Sequence, residues 1–471
     1  MARDSRLFIL EKGSPMRRGA PRRLKIGLFS RESPMHRGAP RRLKIGLFSR
    51  ERKDLAKVEK LVCVICGREY QQEDTEYTCL SCGREGILDI RYDYEAVKKT
   101  VTRDRLRSKS DYSIWRYGEL LPLSRFDLRS YLQVGWTPIY QVERLGRYYG
   151  LKSILIKDDG RNPTASFKDR ASAVGVVRAL EKGSRTIACA STGNAASSLA
   201  GLSASVGLES FIFVPQRAPQ AKIAQLLIFG ATVIVVNGTY DQAYDLSMDA
   251  CEEWGWYSGN AATNPYLIEG KKTVGLEICE QLDWEPPDVV IFSVGDGCTI
   301  AGAWKGFKEF YELGLTRKLP RMVGVQAEGA SPVYRSFVTG EKLETIIPDT
   351  IADSIAVGKP RNYIKALNSI RESRGTMVTV SDEEIINSIK VLGEKAGVFG
   401  EPAGVAGLAA IPKLLEEGFM EPGEVVCHVV TGNGLKDIQS AMKAKGTLIS
   451  VEPDIEDVRE KLHQRTSQGG D

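Results

Sequence analysis

The chain has 471 residues, of which 42% are hydrophobic, and its formal net charge is +5. This length is enough for a sizeable core and for two or three domains. No apolar run approaches the length of a membrane span, and the N-terminus lacks the apolar core of a secretion signal. We therefore expect a cytoplasmic protein that has no membrane partner and whose nine cysteines are kept reduced.

The positive charge is concentrated at the N-terminus. Residues 1–51 hold 14 Lys and Arg against 4 Asp and Glu, a net charge of +10. The remaining 420 residues hold 51 basic and 56 acidic side chains, a net charge of −5. A mildly acidic body argues against a nucleic-acid-binding surface there.

The basic head is a tandem repeat. The stretch SPMRRGAPRRLKIGLFSRE (14–32) returns at 33–51 with His36 in place of Arg17 as its only change. It cannot bury much apolar surface, so we expect residues 1–51 to be disordered. We interpret it as a recent duplication or a start codon assigned too far upstream. A targeting peptide and a tail for an anionic partner are the alternatives.

Four cysteines have the spacing of a zinc ribbon. Two C-x2-C pairs are separated by twelve residues, and each pair is followed by glycine, which helps the backbone turn two thiolates toward one ion. The pattern predicts a structural Zn²⁺ site, without an open position for catalysis, in a ribbon over residues 52–95. A ribbon that keeps its fold but binds metal weakly is the alternative. The predicted ligands are Cys63, Cys66, Cys79 and Cys82.

From about residue 135 the chain alternates short apolar runs with helical patterns. This alternation is typical of an α/β protein with parallel sheets, in which ligands bind at the carboxyl ends of the strands. The predicted buried strands are TIACA (186–190), FIFVP (211–215), TVIVV (232–236), DVVIFSVG (288–295), MVGVQAEG (322–329) and EVVCHVVTG (424–432).

Three of these strands end in glycine-containing loops. After the first, STGNAASS (191–198) opens a helix at Asn194, where backbone amides could hold a carboxylate or phosphate. In GDGCTIAG (295–302), two glycines allow a ligand to come close to the backbone, and a helix starts near Thr299. The backbone amides and the helix dipole there suit a phosphate dianion. TGNGLKD (431–437) puts Thr431 at the edge of the sheet.

The stretch NPTASFKDR (162–170) carries an unusual lysine. Ser166 is a good N-cap, and the apolar residues that follow recur at helical spacing, so Lys168 is expected in the first helical turn. The helix dipole disfavours an ammonium group there but suits the neutral amine that imine chemistry needs. Together with the loops, Lys168 specifies a planar phosphorylated aldehyde as the ligand.

The chain resembles the threonine synthase family of fold type II pyridoxal-phosphate enzymes, from the cysteine ribbon to about residue 441. The resemblance implies a catalytic α/β domain over 96–471, related to the β subunit of tryptophan synthase. It has two open parallel-sheet subdomains, the smaller inserted at about 175–265. The motifs that carry the resemblance, in the family's order, are NPTASFKDR, STGNAA, IEGKKT, VGVQAEG, VSDEEI, EPAG and TGNGLKD.

The resemblance also implies roles for individual residues. Lys168 would be the catalytic lysine that forms a Schiff base with the cofactor, Asn194 would hold the 3′ oxygen, and Thr431 would face the pyridine nitrogen. A neutral hydroxyl there favours elimination and replacement over transamination. The phosphate would be held by Gly295, Asp296, Gly297, Cys298 and Thr299. The expected substrate-binding residues are Ser191, Thr192, Gly193, Lys271 and Lys272.

By this resemblance the activity is that of a carbon–oxygen lyase that turns O-phosphohomoserine and water into threonine and phosphate. A dehydratase-like ammonia-lyase acting on threonine or serine, or a β-replacement enzyme, is the first alternative. A non-catalytic zinc-ribbon interaction protein is the second. We expect a small-molecule amino-acid substrate, no nucleic acid and a homodimer.

Two positions depart from the family. Its usual pattern N-P-[YF]-R-I-E-G-Q-K-T reads NPYLIEGKKT at 264–273, so Leu267 replaces the arginine that would grip the substrate phosphate. Asn433 stands where the family has the histidine of TGHGLKD. Lys271, Lys272 or Arg170 could replace the missing arginine, and the exact substrate stays open at this point.

Overall fold

The structure is a computed structural model that describes residues 58–468 except 217–219, 445 and 447. The basic tandem repeat lies outside the described residues, and so does the prediction made for it. Among the described helices, none is long and apolar enough to cross a membrane.

The described residues form thirteen strands in three sheets. The strands are β1 (Val58–Cys63), β2 (Glu69–Tyr70), β3 (Leu88–Tyr92), β4 (Ile139–Gln141), β5 (Ser153–Asp158), β6 (Thr186–Ala190), β7 (Glu209–Pro215), β8 (Thr232–Val236), β9 (Tyr257–Ser258), β10 (Val289–Ser293), β11 (Arg321–Ala327), β12 (Thr376–Val380) and β13 (Val425–Val430). The first sheet is antiparallel, in the order β2-β1-β3. The second has the order β12-β11-β10-β13-β5-β4 and is parallel apart from its β4 edge. The third is parallel, in the order β8-β7-β6-β9.

Sixteen α-helices occur in the same part of the chain. They are α1 (Tyr94–Thr100), α2 (Arg103–Arg107), α3 (Glu143–Tyr149), α4 (Asp169–Glu181), α5 (Asn194–Val206), α6 (Gln220–Ile228), α7 (Tyr240–Trp254), α8 (Pro265–Gln281), α9 (Cys298–Glu312), α10 (Pro332–Thr339), α11 (Tyr363–Glu372), α12 (Asp382–Ala396), α13 (Pro402–Ala409), α14 (Ile411–Glu416), α15 (Ile438–Lys443) and α16 (Ile455–Gln468). The crossover helices join parallel strands, as an α/β fold requires.

The predicted α/β class with parallel sheets is confirmed, and each of the six predicted runs contains a strand. In the six-stranded sheet, the interior strand β5 and the edge strands β4 and β12 were not among the predicted runs. In β5 the polar Lys157 interrupts the apolar pattern, yet its side chain is fully buried against Glu277. The small parallel sheet lies within 186–258 and the antiparallel one within 58–92. The domain boundaries drawn from the sequence stay predictions.

Helix α8 is the most enclosed element near the centre of the fold. Every residue from 265 to 279 is buried. Glycines let its backbone approach both neighbours: a Cβ on Gly270 would lie 2.0 Å from the carbonyl oxygen of Arg170 in α4. On the other side, a Cβ on Gly306 of α9 would lie 2.2 Å from the carbonyl oxygen of Lys272. These contacts hold α4, α8 and α9 together with almost no space between their backbones.

We predict that Gly270→Ala destabilises the protein although alanine is the better helix former. The added methyl group would overlap backbone that cannot yield, which typically costs about 1–3 kcal/mol. Gly393→Ala in α12 is the matched control, because a Cβ there meets nothing within 4 Å. The control should gain about 0.5–1 kcal/mol from helix propensity. Melting temperatures that change equally in the two variants would contradict this interpretation.

Candidate active site

A cavity of about 380 Å³ lies at the carboxyl ends of strands from both parallel sheets. The chain after β6, the loop between β10 and α9, and the first residue after β13 all line it. Ligand sites in open α/β sheets are expected at this edge, and the volume suits a small ligand.

Lys168 reaches the cavity because the chain before α4 pairs with the chain after β13. The Phe167 N–H donates to the carbonyl oxygen of Thr431 at 2.9 Å, and the Asn433 N–H donates to the carbonyl oxygen of Ala165 at 3.1 Å. Ala165 adopts a left-handed conformation, with φ of 62°, to make this turn. The pairing puts Lys168 beside Thr431, and both line the cavity.

The helix start differs from the prediction. Helix α4 begins at Asp169, and Lys168 occupies its N-cap position rather than the first turn. The prediction that Ser166 is the N-cap is wrong, because its buried hydroxyl has no hydrogen-bond partner. Instead, the Asp169 carboxylate accepts hydrogen bonds from the amide, at 2.7 Å, and the hydroxyl of Thr164. This local bonding secures the turn that precedes the lysine.

The Lys168 amine has no hydrogen-bond or ion-pair partner among the described side chains and faces the cavity. Burial disfavours its ammonium form, and the nearby positive charge of Lys271 adds to the effect, so its pKa is lowered to about 8. The neutral amine expected from the sequence is therefore favoured by burial and by the charge of Lys271, rather than by the helix dipole.

Asn194 begins α5 and is held by an acidic residue. Its side-chain N–H donates to Oε1 of Glu401 at 2.6 Å. Glu401 precedes Pro402 at the start of α13, and its carboxylate lies so close to Gly432 that a Cβ there would be 2.3 Å from Oε1. The sequence interpretation included the EPAG motif without giving Glu401 a role. The available signal in the sequence was the single acidic residue at the start of the apolar run EPAGVAGLAA (401–410).

The glycine loop between β10 and α9 offers unpaired donors. Among the described residues, the backbone N–H groups of 295–299 have no hydrogen-bond partner. The buried hydroxyl of Ser293, which the sequence interpretation missed, also lines the cavity without a partner. In contrast, the Asp296 carboxylate is turned to the Arg361 N–H at 3.1 Å. The loop can therefore bind an anion through backbone amides and a helix N-terminus.

The structure brings all but one of the predicted cofactor and substrate residues to this cavity. The exception is Lys272, whose Nζ donates to Glu269 at 2.6 Å and to Glu309 at 2.9 Å. Successive helical residues point about 100° apart, so Lys272 cannot share the orientation of Lys271. The residues that line the cavity are Lys168, Ser191, Thr192, Gly193, Asn194, Lys271, Gly295, Asp296, Gly297, Cys298, Thr299 and Thr431.

Arg170, considered above as a substitute for the arginine missing at position 267, is also unavailable. Its guanidinium is fully buried and is bound to Asp159 at 2.6 Å and to Glu277 at 2.6 Å. Leu267, by contrast, does line the cavity. The part of the cavity wall formed by α8 therefore presents one apolar residue, Leu267, and one lysine, Lys271.

The four ribbon cysteines converge on one point. Their sulfur atoms lie within 4.8 Å of one another, and the sulfurs of Cys66 and Cys79 are 3.7 Å apart. Four sulfurs around a tetrahedral Zn²⁺ at about 2.3 Å would be separated by roughly 3.8 Å. The ribbon also contacts α8, where the Tyr92 hydroxyl donates to Glu269 at 2.6 Å.

Comparison with known proteins agrees with this geometry. Residues 131–432 match the family model described as "Pyridoxal-phosphate dependent enzyme". The chain is 42% identical over 398 residues to the threonine synthase of Methanocaldococcus jannaschii, covering 83% of this chain and 96% of that protein. It is 39% identical over 405 residues to the threonine synthase of Methanosarcina acetivorans, covering 85% and 98%.

Solved structures agree on the fold. The processed form of threonine deaminase isoform 2 from Solanum lycopersicum superposes with a TM-score of 0.56 at 25% identity, covering 66% of this chain and 87% of that chain. Maize serine racemase superposes with a TM-score of 0.56 at 21% identity, covering 70% and 93%. The resemblance inferred from the motifs is confirmed: the chain belongs to the threonine synthase family of pyridoxal-phosphate-dependent enzymes.

Proposed function

We propose that the protein is a threonine synthase, which converts O-phosphohomoserine and water into threonine and phosphate. The observation that carries the proposal is the arrangement of Lys168, the 295–299 amides and Thr431 around one cavity. It occurs in a chain that matches threonine synthases over nearly their whole length.

The residues present fit pyridoxal phosphate. The unpaired amides of 295–299 and the partnerless Ser293 hydroxyl would hold its phosphate. Asn194 would hold the ring hydroxyl, and Thr431 would face the ring nitrogen with a neutral group. When bound, the cofactor supplies an electron sink that makes protons near the substrate nitrogen acidic.

The chain's own residues supply positioning and proton transfer. Burial and Lys271 lower the pKa of the Lys168 amine to about 8, so about half of it is neutral at that pH and can accept a proton from the substrate α carbon. Glu401 orients Asn194 through the 2.6 Å hydrogen bond. The Thr192 N–H would bind the substrate carboxylate. The neighbouring N–H groups hold the turn in shape: that of Ser191 donates to the carbonyl oxygen of Phe213 at 3.2 Å, and that of Gly193 donates to the Ser191 hydroxyl at 3.1 Å.

One observation favours a second function, an ammonia-lyase that acts on threonine or serine. Leu267 makes part of the substrate wall apolar, which suits a substrate without a phosphate. An amino-acid panel with purified protein, scored for phosphate, ammonia and keto acid, tests the two. We expect phosphate from O-phosphohomoserine as the main product. Ammonia and keto acid from threonine, with no phosphate release, would favour the second function.

We predict that Lys168→Ala abolishes turnover and the violet absorption of the bound cofactor while the fold is retained. The substitution removes the amine that faces the cavity, and no other residue can replace both its covalent and its proton-transfer roles. Far-ultraviolet circular dichroism checks the fold, and Lys390→Ala, an exposed lysine on α12, is the control. Turnover at the wild-type rate in Lys168→Ala would rule out the role given to this lysine.

A pH dependence follows from the lowered pKa of Lys168. Covalent capture of an aldehyde requires the neutral amine, so the rate of cofactor incorporation into the cofactor-free protein should rise through about pH 8. At pH 7 roughly a tenth of this amine is neutral, against far less for a lysine with the ordinary pKa of about 10.4. The rate is measured by stopped-flow absorbance between pH 6 and pH 10. A midpoint near the ordinary value would contradict the effect of burial.

We also propose that the ribbon, with boundaries near 52–95, holds one structural Zn²⁺ through Cys63, Cys66, Cys79 and Cys82. The nine cysteines, all within the described residues, form no disulfide, which supports a reducing compartment such as the cytoplasm. The distances between the four sulfur atoms fit tetrahedral coordination, and this supports the proposed Zn²⁺ site.

Metal analysis of protein purified without chelator should give one zinc per chain. Cys66→Ser should lose most of the bound metal, because one of four thiolates is removed. Ser81→Ala, in the same ribbon but without a thiolate, should retain it. Metal-free wild-type protein with an unchanged melting temperature would instead indicate a ribbon held by packing.

A further inference from the structure

One face of α8 carries two cavity residues, Leu267 and Lys271. They are four positions apart, so they lie one above the other on the helix surface. Leu267 presents an apolar side chain to the cavity, so Lys271 supplies the positive charge of this face.

Lys271 is buried without a partner. Its side chain is 2% exposed, and it makes no hydrogen bond or ion pair with any described residue. Other deeply buried lysines are paired: Lys157 lies 2.9 Å from Glu277, and Lys272 lies 2.6 Å from Glu269. A buried cation is strongly unfavourable unless an anion accompanies it. Lys271 lines the cavity, so the anion it needs is one that enters the cavity.

The position of Lys271 narrows the choice of anion. Gly302 in α9 has no Cβ, which leaves room for the stem of Lys271, since a Cβ there would lie 2.8 Å from the Cβ of Lys271. The charge of Lys271 acts on both Lys168 and Cys298, so the ammonium lies near the reacting amine and the start of α9. The five amides of 295–299 would hold the cofactor phosphate. Lys271 is a further donor, so it is suited to a second anion that binds beside the cofactor phosphate.

We infer that Lys271 binds the leaving phosphate of the substrate. This inference rests on the proposed function. In that reaction the β carbon loses a proton, and the electron pair of its C–H bond forms a double bond to the γ carbon. At the same time the bond between the γ carbon and the phosphate oxygen breaks, and phosphate departs with the bonding electron pair. Lys271 balances the charge gained by that oxygen. Water then adds its hydroxyl group to the β carbon, and a proton returns to the γ carbon to complete threonine.

Four variants of the holoenzyme test this assignment: Lys271→Gln, Lys271→Arg, Leu267→Arg and the double variant Leu267→Arg/Lys271→Gln. The probe for binding is inorganic phosphate, titrated by calorimetry and by the absorption of the bound cofactor. Initial rates of phosphate release give kcat/KM for O-phosphohomoserine. Lys308→Gln on α9, whose side chain lies on the solvent side, is the matched control.

Lys271→Gln should weaken phosphate binding and lower kcat/KM by about 10- to 100-fold, since one charge-assisted contact is lost. Lys271→Arg should retain much of both. The double variant should recover most of the loss because it restores a cation to the same face of α8, one helical turn away. The affinity for threonine, which has no phosphate, should be unchanged in Lys271→Gln, and the affinity for the cofactor should change by less than tenfold.

Folding does not obscure the result, because removing an unpaired buried charge should leave the melting temperature unchanged or raise it. Unchanged phosphate affinity in Lys271→Gln would overturn the inference. A tenfold loss of cofactor affinity with unchanged phosphate affinity would overturn it too, by assigning Lys271 to the cofactor phosphate.

Failure of the proposed function is recognised separately. Wild-type protein that releases no phosphate from O-phosphohomoserine would refute that function. A Lys271-dependent affinity for inorganic phosphate would then still support an anion site at this lysine.

Discussion

The burial of α8 on every side is the constraint on which the other features of the site depend. A helix enclosed all round is normally apolar all round. This one carries Glu269, Lys271, Lys272 and Glu277. Glu277 and Glu269 are paired with cations of neighbouring helices, Arg170 of α4 and Lys305 of α9. Lys272 pairs with Glu269 of α8 itself and with Glu309 of α9. Lys271 instead faces the cavity, so rotating the helix about its axis would separate these ion pairs and move Lys271 away from the cavity.

The partners come from elements that carry the rest of the site. Glu277 pairs with Arg170 of α4, two residues after Lys168, so the helix that carries the reactive amine is tied to α8. Glu269 receives the hydroxyl of Tyr92 from the ribbon and the ammonium of Lys305 from α9. Arg178 of α4 also lies 2.9 Å from Glu76 of the ribbon. The ribbon is thus joined to α4 and α8, which both line the cavity, through buried and partly buried polar contacts.

The surroundings of four lysines near α8 indicate two different roles. Lys157 and Lys272 lie against carboxylates and act as structural cations. Lys168 and Lys271 point into the cavity, and no described carboxylate forms an ion pair with either. Because like charges in a poorly solvated cavity repel, Lys271 helps to hold the amine of Lys168 in its neutral form. An anion bound at Lys271 would weaken that repulsion, so substrate binding and the basicity of Lys168 are physically linked.

The sequence by itself determined the α/β class, the parallel strands, the cysteine spacing and the glycine-containing loops at the ends of strands. These follow from local periodicity and from glycine in turns, which depend on neighbours in the chain. It also singled out Lys168, Asn194 and Thr431, since each lies directly after a recognisable strand or turn. Only the tertiary structure separated Lys271 from Lys272 and Arg170, assigned Glu401 to Asn194, and revealed the partnerless Ser293 hydroxyl. It also identified β5, whose buried Lys157 is stabilised by a residue 120 positions away. A charged side chain has a structural role when it is paired with an opposite charge, and it can bind a ligand when it faces the cavity. Which of the two occurs is decided by packing between segments that are distant in the sequence.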